Sequence, residues 1–169
     1  YEALSEYVYG SAAVIGLEMV QILGTMPGRN EAALAAAEKL GIAFQLANFI
    51  RDVGEDLERG RIYLPKDELA NFGVDREMLE RRKLTPEIIA ALRFQIARVR
   101  RLQREANLGI PALSPAARPC IEAASELYCG IVDEVERIEF QIFDQRAKTS
   151  TLRRLRVAVP AYVRAIRAR

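Results

Sequence analysis

The sequence contains no histidine, and this absence removes several classes of enzyme at once. None of its 169 residues is histidine, which excludes His-ligated zinc, Ser-His-Asp and Cys-His triads, and acid–base catalysis by imidazole. Any catalysis by this chain must therefore use carboxylates, tyrosines, cations or a bound metal.

Cysteine is scarce as well, with only Cys120 and Cys129 present. The two residues fall on one predicted helix with backbones about 13 Å apart, too far for a disulfide. Free thiols fit the reducing cytosol, and we expect both to be small, buried, apolar side chains. The sequence therefore predicts a cytoplasmic protein without disulfides.

The chain lacks a strong charge imbalance and a long apolar run. Its 25 Lys and Arg residues against 23 Asp and Glu give a formal net charge of +2, too little to imply nucleic acid as a partner. The longest uncharged apolar stretches are shorter than the ~20 residues that a membrane span needs, and no signal peptide is visible. Length and composition thus predict one globular domain.

Apolar residues recur at three- and four-residue spacing almost throughout, which predicts an all-α fold. We predict helices over 2–23, 31–57, 66–71, 75–82, 85–109 and 114–140, and a last helix after residue 150. Asn30, Thr85 and Ser150 are predicted N-caps, and Ser114 is predicted to open the helix that follows it.

The second predicted helix carries a polar stripe on an otherwise apolar surface. A helix that is apolar on nearly all sides is a buried one, yet Gln45, Asn48, Asp52 and Asp56 share one face. Two carboxylates one turn apart repel each other in a low-dielectric interior unless a cation lies between them. Oxygen ligands without His or Cys favour Mg²⁺ completed by water and phosphate oxygens.

Cations and small residues surround this stripe. Arg51, Arg59 and Arg61 bracket the acids, as the binding of a polyanionic diphosphate would require. Ala37 and Gly41 extend the same face and leave room for a long apolar group. The alternative interpretation is a solvated helix end with mixed charges, which is the commoner meaning of an isolated D-x-x-x-D sequence; the buried helix favours the binding site.

The first predicted helix contains a run of small and β-branched residues over 10–16. Such a run suits either tight helix packing or the wall of an apolar channel, and taken alone it favours packing. Tyr7 and Tyr9 precede it, and buried tyrosines usually hydrogen-bond to a neighbour.

Several segments, in this order and spacing, resemble the signatures of the squalene/phytoene synthase family, and those of bacterial phytoene synthases in particular. They are YVYGSAAVIG at 7–16, LGIAFQLANFIRDVGED at 40–56, RGRIYLP at 59–65 and, more weakly, LYCGIVDEV at 127–135. The resemblance covers essentially the whole chain.

The resemblance implies an all-α, isoprenoid synthase-type helical bundle around a central cavity, with Mg²⁺ (Mn²⁺ as the alternative) bridging aspartates to prenyl diphosphates. The implied reaction is head-to-head condensation of two geranylgeranyl diphosphates, through a cyclopropylcarbinyl diphosphate, to phytoene in carotenoid biosynthesis. Matched by position, the site residues are Asn48, Asp52 and Asp56 as metal ligands, Gln45 and Arg51 near the diphosphates, and Tyr7 and Tyr128 as active-site tyrosines.

Four further residues complete the predicted substrate site. Arg59 and Arg61 supply positive charge for the diphosphate, and Gly16 lies on the small-residue wall. Phe44 offers an aromatic face to a carbocation, which an apolar wall protects from water. No histidine base is needed, because the released diphosphate can accept a proton.

The chain departs from the family in one respect. Family members carry a first aspartate-rich motif on an earlier helix, whereas 52–56 is the only D-x-x-x-D here. We therefore expect residues 1–169 to be the C-terminal part of a single squalene/phytoene synthase-like domain without its N-terminal helices, and to be inactive alone. The alternatives are a C30 synthase using farnesyl diphosphate, of squalene or dehydrosqualene type, and a non-catalytic, family-related assembly protein that binds lipid or a partner.

The C-terminal segment is basic. Residues 145–169 contain eight cations and no acid, mixed with apolar residues, which predicts an amphipathic helix that Pro160 kinks or interrupts. A solvated helix packed on the domain is one interpretation, and peripheral membrane contact is the other, since prenyl tails partition into lipid. Nucleic-acid binding is disfavoured because no stacking aromatics accompany the cations.

Overall fold

The structure is a computed structural model that describes residues 2–168, leaving Tyr1 and Arg169 outside the described range. Its α-helices are α1 (Glu2–Val8), α2 (Val14–Leu23), α3 (Asn30–Arg51), α4 (Val53–Glu58), α5 (Lys66–Asn71), α6 (Arg76–Glu80), α7 (Pro86–Asn107), α8 (Arg118–Cys129), α9 (Ile131–Arg137) and α10 (Thr151–Arg167). A π-helical turn, Tyr9–Ala13, joins α1 to α2, and a 3-10 turn, Ile110–Ala112, precedes α8. The all-α prediction is confirmed: the described residues form one isolated β-bridge and no strand.

The central element of the fold is α3. It contacts α2, the π-helical turn, α4, α7, α8 and α9. Its buried side chains are Ala33, Leu40, Ala43, Leu46, Ala47, Phe49 and Ile50. The prediction of a core helix from its apolar surface is therefore confirmed. By length and composition alone α3 could also cross a membrane, a test that the core helix of a soluble protein passes equally.

Side-chain caps begin α7 and α10. Thr85 and Ser150 accept hydrogen bonds from the backbone N–H three residues further on, at 3.4 and 3.2 Å, which confirms both predicted caps. The cap predicted at Asn30 is wrong. Asn30 is already the first residue of α3, because the Arg29 carbonyl accepts a first-turn hydrogen bond from Ala33 N at 3.1 Å.

The helix predicted over 31–57 is broken into α3 and α4. The break lies at Asp52, whose φ of −97° and ψ of 9° depart from α-helical values. Hydrogen bonds nevertheless run from Asp52 N to Asn48 O at 2.9 Å and from Asp56 N to Asp52 O at 2.8 Å. The three predicted metal-binding residues therefore still follow one another at intervals of about one turn.

The helix predicted over 114–140 is two shorter helices, α8 and α9, separated at Gly130. Ser114 does not open α8. Its backbone N instead donates to the carbonyl of Gly24 at 3.0 Å, a tertiary contact that ties the loop before α8 to the loop after α2.

The two cysteines occupy different environments, and both are free. Cys129 is buried as predicted, and burial, together with the charge of Asp133, raises the pKa of its thiol to about 12. Cys120 is exposed, so the expectation that both are buried is wrong for this residue. Nine residues at 100° per residue put the two side chains on opposite faces of α8.

Candidate functional site

An apolar cavity of about 360 Å³ lies along α3, between that helix, α2 with the π-helical turn, and the region that joins α7 to α8. On α3 the lining residues are Ala33, Ala36, Ala37, Leu40, Gly41, Phe44, Gln45 and Asn48. Successive lining residues are alternately three positions and one position apart, which places them on a single face of the helix. At the rise of an α-helix, the segment from Ala33 to Asn48 is about 22 Å long.

The chemistry of the lining changes along the cavity. Its polar end is formed by Gln45 and Asn48, the last two α3 residues to reach it, and the next turn of the chain carries Asp52. The cavity brings together five predicted site residues: Gly16, Phe44, Gln45, Asn48 and Tyr128. The small residues at 37 and 41 also line it, as expected for a face that leaves room for an apolar group.

Two glycines let α2 and the π-helical turn approach α3. A Cβ at Gly16 would lie 2.5 Å from the carbonyl oxygen of Ala37, and a Cβ at Gly41 would lie 2.6 Å from that of Ala12. Both positions therefore need a residue without a side chain. Gly16 fits both interpretations of the small-residue run, tight helix packing and the wall of an apolar channel, because it packs against α3 and also lines the cavity.

The two predicted active-site tyrosines lie in different aromatic contacts. Phe44 and Tyr128 stack in the cavity wall with ring centroids 4.7 Å apart. Tyr7 is not among the cavity-lining residues. It stacks at 5.9 Å on Tyr63, which in turn stacks at 4.4 Å on Phe49. Of the two predicted active-site tyrosines, the structure thus brings only Tyr128 to the cavity.

Asp52 is held between two arginines. Arg51 donates to both of its carboxylate oxygens, at 2.7 and 2.5 Å, and Arg146 Nε donates to Oδ1 at 2.9 Å. Partial burial opposes the charge of Asp52, but the hydrogen bonds and charges of these guanidinium groups outweigh it and hold the pKa below its ordinary value. Asp52 is therefore ionised at neutral pH.

Asp56 is buried and lies in the opposite electrostatic situation. Burial, followed by the negative charge of Asp52, raises its pKa, while Arg59 and Arg61 partly offset the rise. Among residues 2–168 no cation reaches its carboxylate within 4.0 Å. A buried carboxylate beside another anion favours the arrival of a cation.

The predicted arginines are distributed around these acids. Arg59 N and Arg61 N donate to the carbonyl of Asp56 at 3.1 and 2.8 Å, so the turn that carries them is fixed to this residue. Both side chains are exposed, and Arg61 approaches the hydroxyl of Tyr63 at 3.5 Å. Only Arg51 among the three predicted arginines forms an ion pair with the acid stripe within the described residues.

Sequence reasoning missed the role of Arg146, which it counted only as part of the basic terminal run. This residue lies 94 positions from Asp52, and it also contacts Glu55 at 3.2 Å. The chain reverses after α9, where Glu139 and Phe140 take positive φ values of 53° and 61°. No local spacing signals a contact that depends on this reversal.

Ser11 was missed as well. It lies in the π-helical turn and lines the cavity, and its Oγ is a buried side-chain atom without a hydrogen-bond partner. Buried hydroxyls without a partner are unfavourable and uncommon in folded proteins. This hydroxyl is therefore a free polar group in a mostly apolar wall.

The arrangement can bind a molecule with an apolar chain and an anionic head. The cavity accepts the chain and ends at the amides of Gln45 and Asn48, and the residues beyond Asn48 supply carboxylates and guanidinium groups. The described residues contain no group of three or more His, Cys, Asp or Glu side chains that could hold a metal. A hard cation here would therefore need ligand or water oxygens to complete its coordination.

A family model described as squalene/phytoene synthase matches residues 1–153. Phytoene synthase 2, chloroplastic, of Solanum lycopersicum is 39% identical over 169 residues, covering 98% of this chain and 54% of the relative. The phytoene synthase of Arthrospira platensis is 38% identical over 175 residues, covering 98% and 57%. The chain thus spans about half the length of these relatives.

Solved structures agree with the sequence comparison. A dehydrosqualene synthase in complex with ligand matches with a TM-score of 0.85 at 30% identity, covering 96% of this chain and 56% of that one. Squalene synthase HpnC from Alicyclobacillus acidocaldarius, at 23% identity, matches the fold with a TM-score of 0.73 over 83% of this chain and 52% of its own. The fold is thus the all-α isoprenoid synthase type that the resemblance implied, and with its family-model match the chain belongs to the squalene/phytoene synthase family.

Proposed function

We propose that this chain is the C-terminal part of a prenyltransferase domain that joins two geranylgeranyl diphosphates head to head. The product is phytoene, formed through a cyclopropylcarbinyl diphosphate, and the pathway is carotenoid biosynthesis. The observation that carries the proposal is that the apolar cavity ends at Asn48, about one helical turn before Asp52 and the arginines that hold it. A prenyl diphosphate has the same two parts, and the similarity to named phytoene synthases supports this substrate.

Asn48, Asp52 and Asp56 fit a Mg²⁺ ion, with Mn²⁺ as the alternative. Their donors are all oxygens, as hard cations prefer, and Asp56 lacks an ion-pair partner within the described range. When bound, such an ion supplies positive charge that stabilises the departing diphosphate. The diphosphate and water would complete its ligand set.

The remaining polar residues hold the diphosphate head. Arg51 and Arg146 already converge on Asp52, and Arg59 and Arg61 lie on the adjoining turn. Guanidinium groups in fixed positions stabilise negative charge that develops on a leaving group. Gln45 can donate from its amide at the polar end of the cavity.

The apolar residues protect the reacting carbon atoms. Phe44 and Tyr128 present stacked aromatic rings to the cavity, where their faces stabilise positive charge. Gly16 lets α2 lie close to α3 and adds no side chain to the cavity wall. Tyr7 acts from the acid side, through its contact with Tyr63. Exclusion of water by these walls prevents capture of a carbocation as an alcohol.

A C30 synthase that uses farnesyl diphosphate is the second candidate, favoured by the similarity to a solved dehydrosqualene synthase. The deciding experiment incubates the full-length native protein and Mg²⁺ with each diphosphate separately and identifies the products by mass spectrometry. A C40 hydrocarbon from geranylgeranyl diphosphate supports the proposal, and a C30 product alone supports the alternative. No product from either substrate would leave the non-catalytic assembly role.

The proposed chemistry also bears on location. Long prenyl tails and a hydrocarbon product partition into lipid, so we extend the proposal to a cytoplasmic protein with peripheral membrane contact through its basic C-terminus. The relatives from Solanum lycopersicum and Narcissus pseudonarcissus are named as chloroplastic.

A further inference from the structure

Arg82 holds a backbone conformation that is unusual for arginine. Its φ is 51°, in the left-handed region that is unfavourable for a residue with a Cβ. It directly follows Arg81, the C-cap of α6, at the position where helices most often end with glycine. Glycine would serve this turn better, so the arginine side chain must contribute something that the turn itself does not require.

The guanidinium group of Arg82 joins two segments that are far apart in sequence. Its Nη1 donates to the carbonyl of Gly54 at 3.2 Å, and its Nη2 donates to the carbonyl of Phe143. Glu58 Oε1 lies 3.2 Å from Nη1. Hydrogen bonds from a charged donor are stronger than those between neutral groups, so Arg82 forms a firm bridge between the two backbone segments.

Both bridged segments lead to the candidate site. Gly54 lies in α4, midway between Asp52 and Asp56. Phe143 precedes Arg146 by three residues in the sequence, and Arg146 Nε donates to Asp52 at 2.9 Å. The bridge therefore connects the short helix after Asp52 with the segment that brings Arg146 to the same carboxylate.

The two segments also touch each other directly. A Cβ at Gly54 would lie 2.5 Å from the carbonyl oxygen of Ile142 and 3.2 Å from the Cα of Phe143. The side chains of Ile142 and Phe143 are buried. Two carbonyl groups are both acceptors and cannot bond to each other, so a donor that reaches both stabilises this close approach.

We propose that Arg82 is a positioning residue, which holds the segment of Phe143 against α4 so that Arg146 meets Asp52. It acts through backbone carbonyls, and its contacts within residues 2–168 do not include the acids themselves. The inference rests on the proposed function for the purpose of this geometry, the binding of a diphosphate head. It adds a residue outside the site on which the arrangement of the site depends.

The first experiment follows the Nε–H signal of Arg146 by nitrogen–proton correlation NMR of the full-length native protein without substrate. The signal is assigned by its loss in Arg146→Lys. Arg82→Gly removes the guanidinium group and introduces the residue that the turn favours, so the variant should fold. We expect the Arg146 signal to move toward that of a solvated arginine, and an unchanged signal would overturn the inference.

A second variant keeps this test decisive if the glycine variant does not fold. Arg82→Lys retains the charge, but an ammonium group lacks the planar fork that donates to two separate carbonyls. We expect its Arg146 signal to lie between those of the wild type and a solvated arginine. A signal identical to that of the wild type would contradict the role of the bridge.

The second experiment measures binding of inorganic diphosphate with Mg²⁺ to the full-length native protein by calorimetry. Arg82→Gly should weaken binding about tenfold, equivalent to ~1.4 kcal/mol. In an Arg146→Gln background the same change should weaken it less than about twofold, because the residue through which Arg82 acts is gone. Equal losses in both backgrounds would mean that Arg82 only stabilises the fold.

Arg81 provides the matched control for charge. It is adjacent to Arg82, but it pairs with Glu77 within α6 at 2.6 Å. Arg81→Gln therefore removes one positive charge at nearly the same place without touching the bridge. Neither the Arg146 signal nor the affinity for diphosphate should change, and a loss equal to that of Arg82→Gly would assign the effect to net charge and overturn the inference.

The same measurements separate this inference from the proposed function. Diphosphate binding without a hydrocarbon product contradicts the proposed function alone, and the double-mutant comparison still decides the role of Arg82. If the native protein binds no diphosphate, the proposed function is contradicted, and the Arg146 signal decides whether Arg82 positions that residue. Formation of phytoene together with an unchanged Arg146 signal in Arg82→Gly contradicts the inference alone.

Discussion

Asp52 and Asp56 lie about one turn apart, yet their surroundings shift their pKa values in opposite directions. A carboxyl whose pKa is lowered on folding stabilises the protein above its unfolded pKa, and this stability is lost as pH falls through the folded pKa. Asp52, whose pKa is lowered, therefore stabilises the folded protein above its unfolded pKa, and this contribution is lost in acid. Asp56, whose pKa is raised by burial and by the charge of Asp52, disfavours folding in its ionised form, and a bound cation would relieve this cost.

Asp52→Asn should lower kcat of the full-length enzyme by at least about 100-fold, equivalent to ~2.7 kcal/mol, because the change removes the negative charge that Asp52 contributes to the proposed Mg²⁺ site. Glu55→Gln is the matched control, since Glu55 also pairs with Arg146 but is not a predicted ligand. Steady-state kinetics and circular dichroism check both variants. Activity of Asp52→Asn close to that of wild type would remove the metal-site assignment.

The unpartnered hydroxyl of Ser11 gives a second prediction at this scale. Ser11→Ala should raise the free energy of unfolding by about 1 kcal/mol, because it removes a buried polar group that lacks a hydrogen bond. Ser125→Ala is the contrast: its hydroxyl donates to Asn107 at 2.7 Å, so the same change should destabilise. Urea unfolding measures both, and a loss of stability in Ser11→Ala would show that its hydroxyl is satisfied.

At the scale of elements, the crossing of the π-helical turn with α3 depends on glycine. Gly41→Ala should lower the free energy of unfolding by about 1–3 kcal/mol, because the new Cβ would lie 2.6 Å from the carbonyl oxygen of Ala12. Gly10→Ala is the control, since a Cβ at Gly10 meets nothing within 4 Å and alanine favours the helix. Equal effects of the two changes in denaturant unfolding would contradict this account of the crossing.

A helix boundary could be predicted from the sequence when the residues that determine it are neighbours in the chain. Apolar periodicity and caps such as Thr85 and Ser150 act within a few residues, so the helix at 66–71 and the starts of the helices at 86–107 and 151–167 were predicted closely. The start of α8 at Arg118 instead of Ser114 could not be predicted, because the backbone of Ser114 is hydrogen-bonded to Gly24, ninety positions away in sequence. The exposure of Cys120 follows from its helix face and could have been inferred from spacing.

The same distinction holds for the candidate site. The spacing of Gln45, Asn48 and Asp52 predicted one shared helix face, and the structure brings the first two to the cavity although the helix breaks at Asp52. Arg146 reaches the site only through the chain reversal after α9. A residue that reaches the site only through tertiary folding is not marked by any periodic pattern in the sequence.

On the scale of the whole molecule, one helix relates the cavity to the acids. Since α3 forms the cavity wall from Ala33 to Asn48 and then leads directly to Asp52, the distance between the apolar end and the polar end is fixed by helix geometry. The length of chain that fits between them should therefore decide which prenyl diphosphate is used.

Ala33→Leu tests this relation at the apolar end of the cavity. Ala33 is buried and lines the cavity about 22 Å from Asn48, so added side-chain volume there should shorten the space for a C20 chain while sparing a C15 chain. We expect kcat/KM for geranylgeranyl diphosphate to fall at least about tenfold relative to farnesyl diphosphate, since a misfit of this kind costs ~1–3 kcal/mol. Ala35→Leu, on the exposed side of α3, should leave the ratio unchanged. An unchanged ratio in Ala33→Leu, or an equal loss for both substrates, would mean that this cavity does not measure chain length.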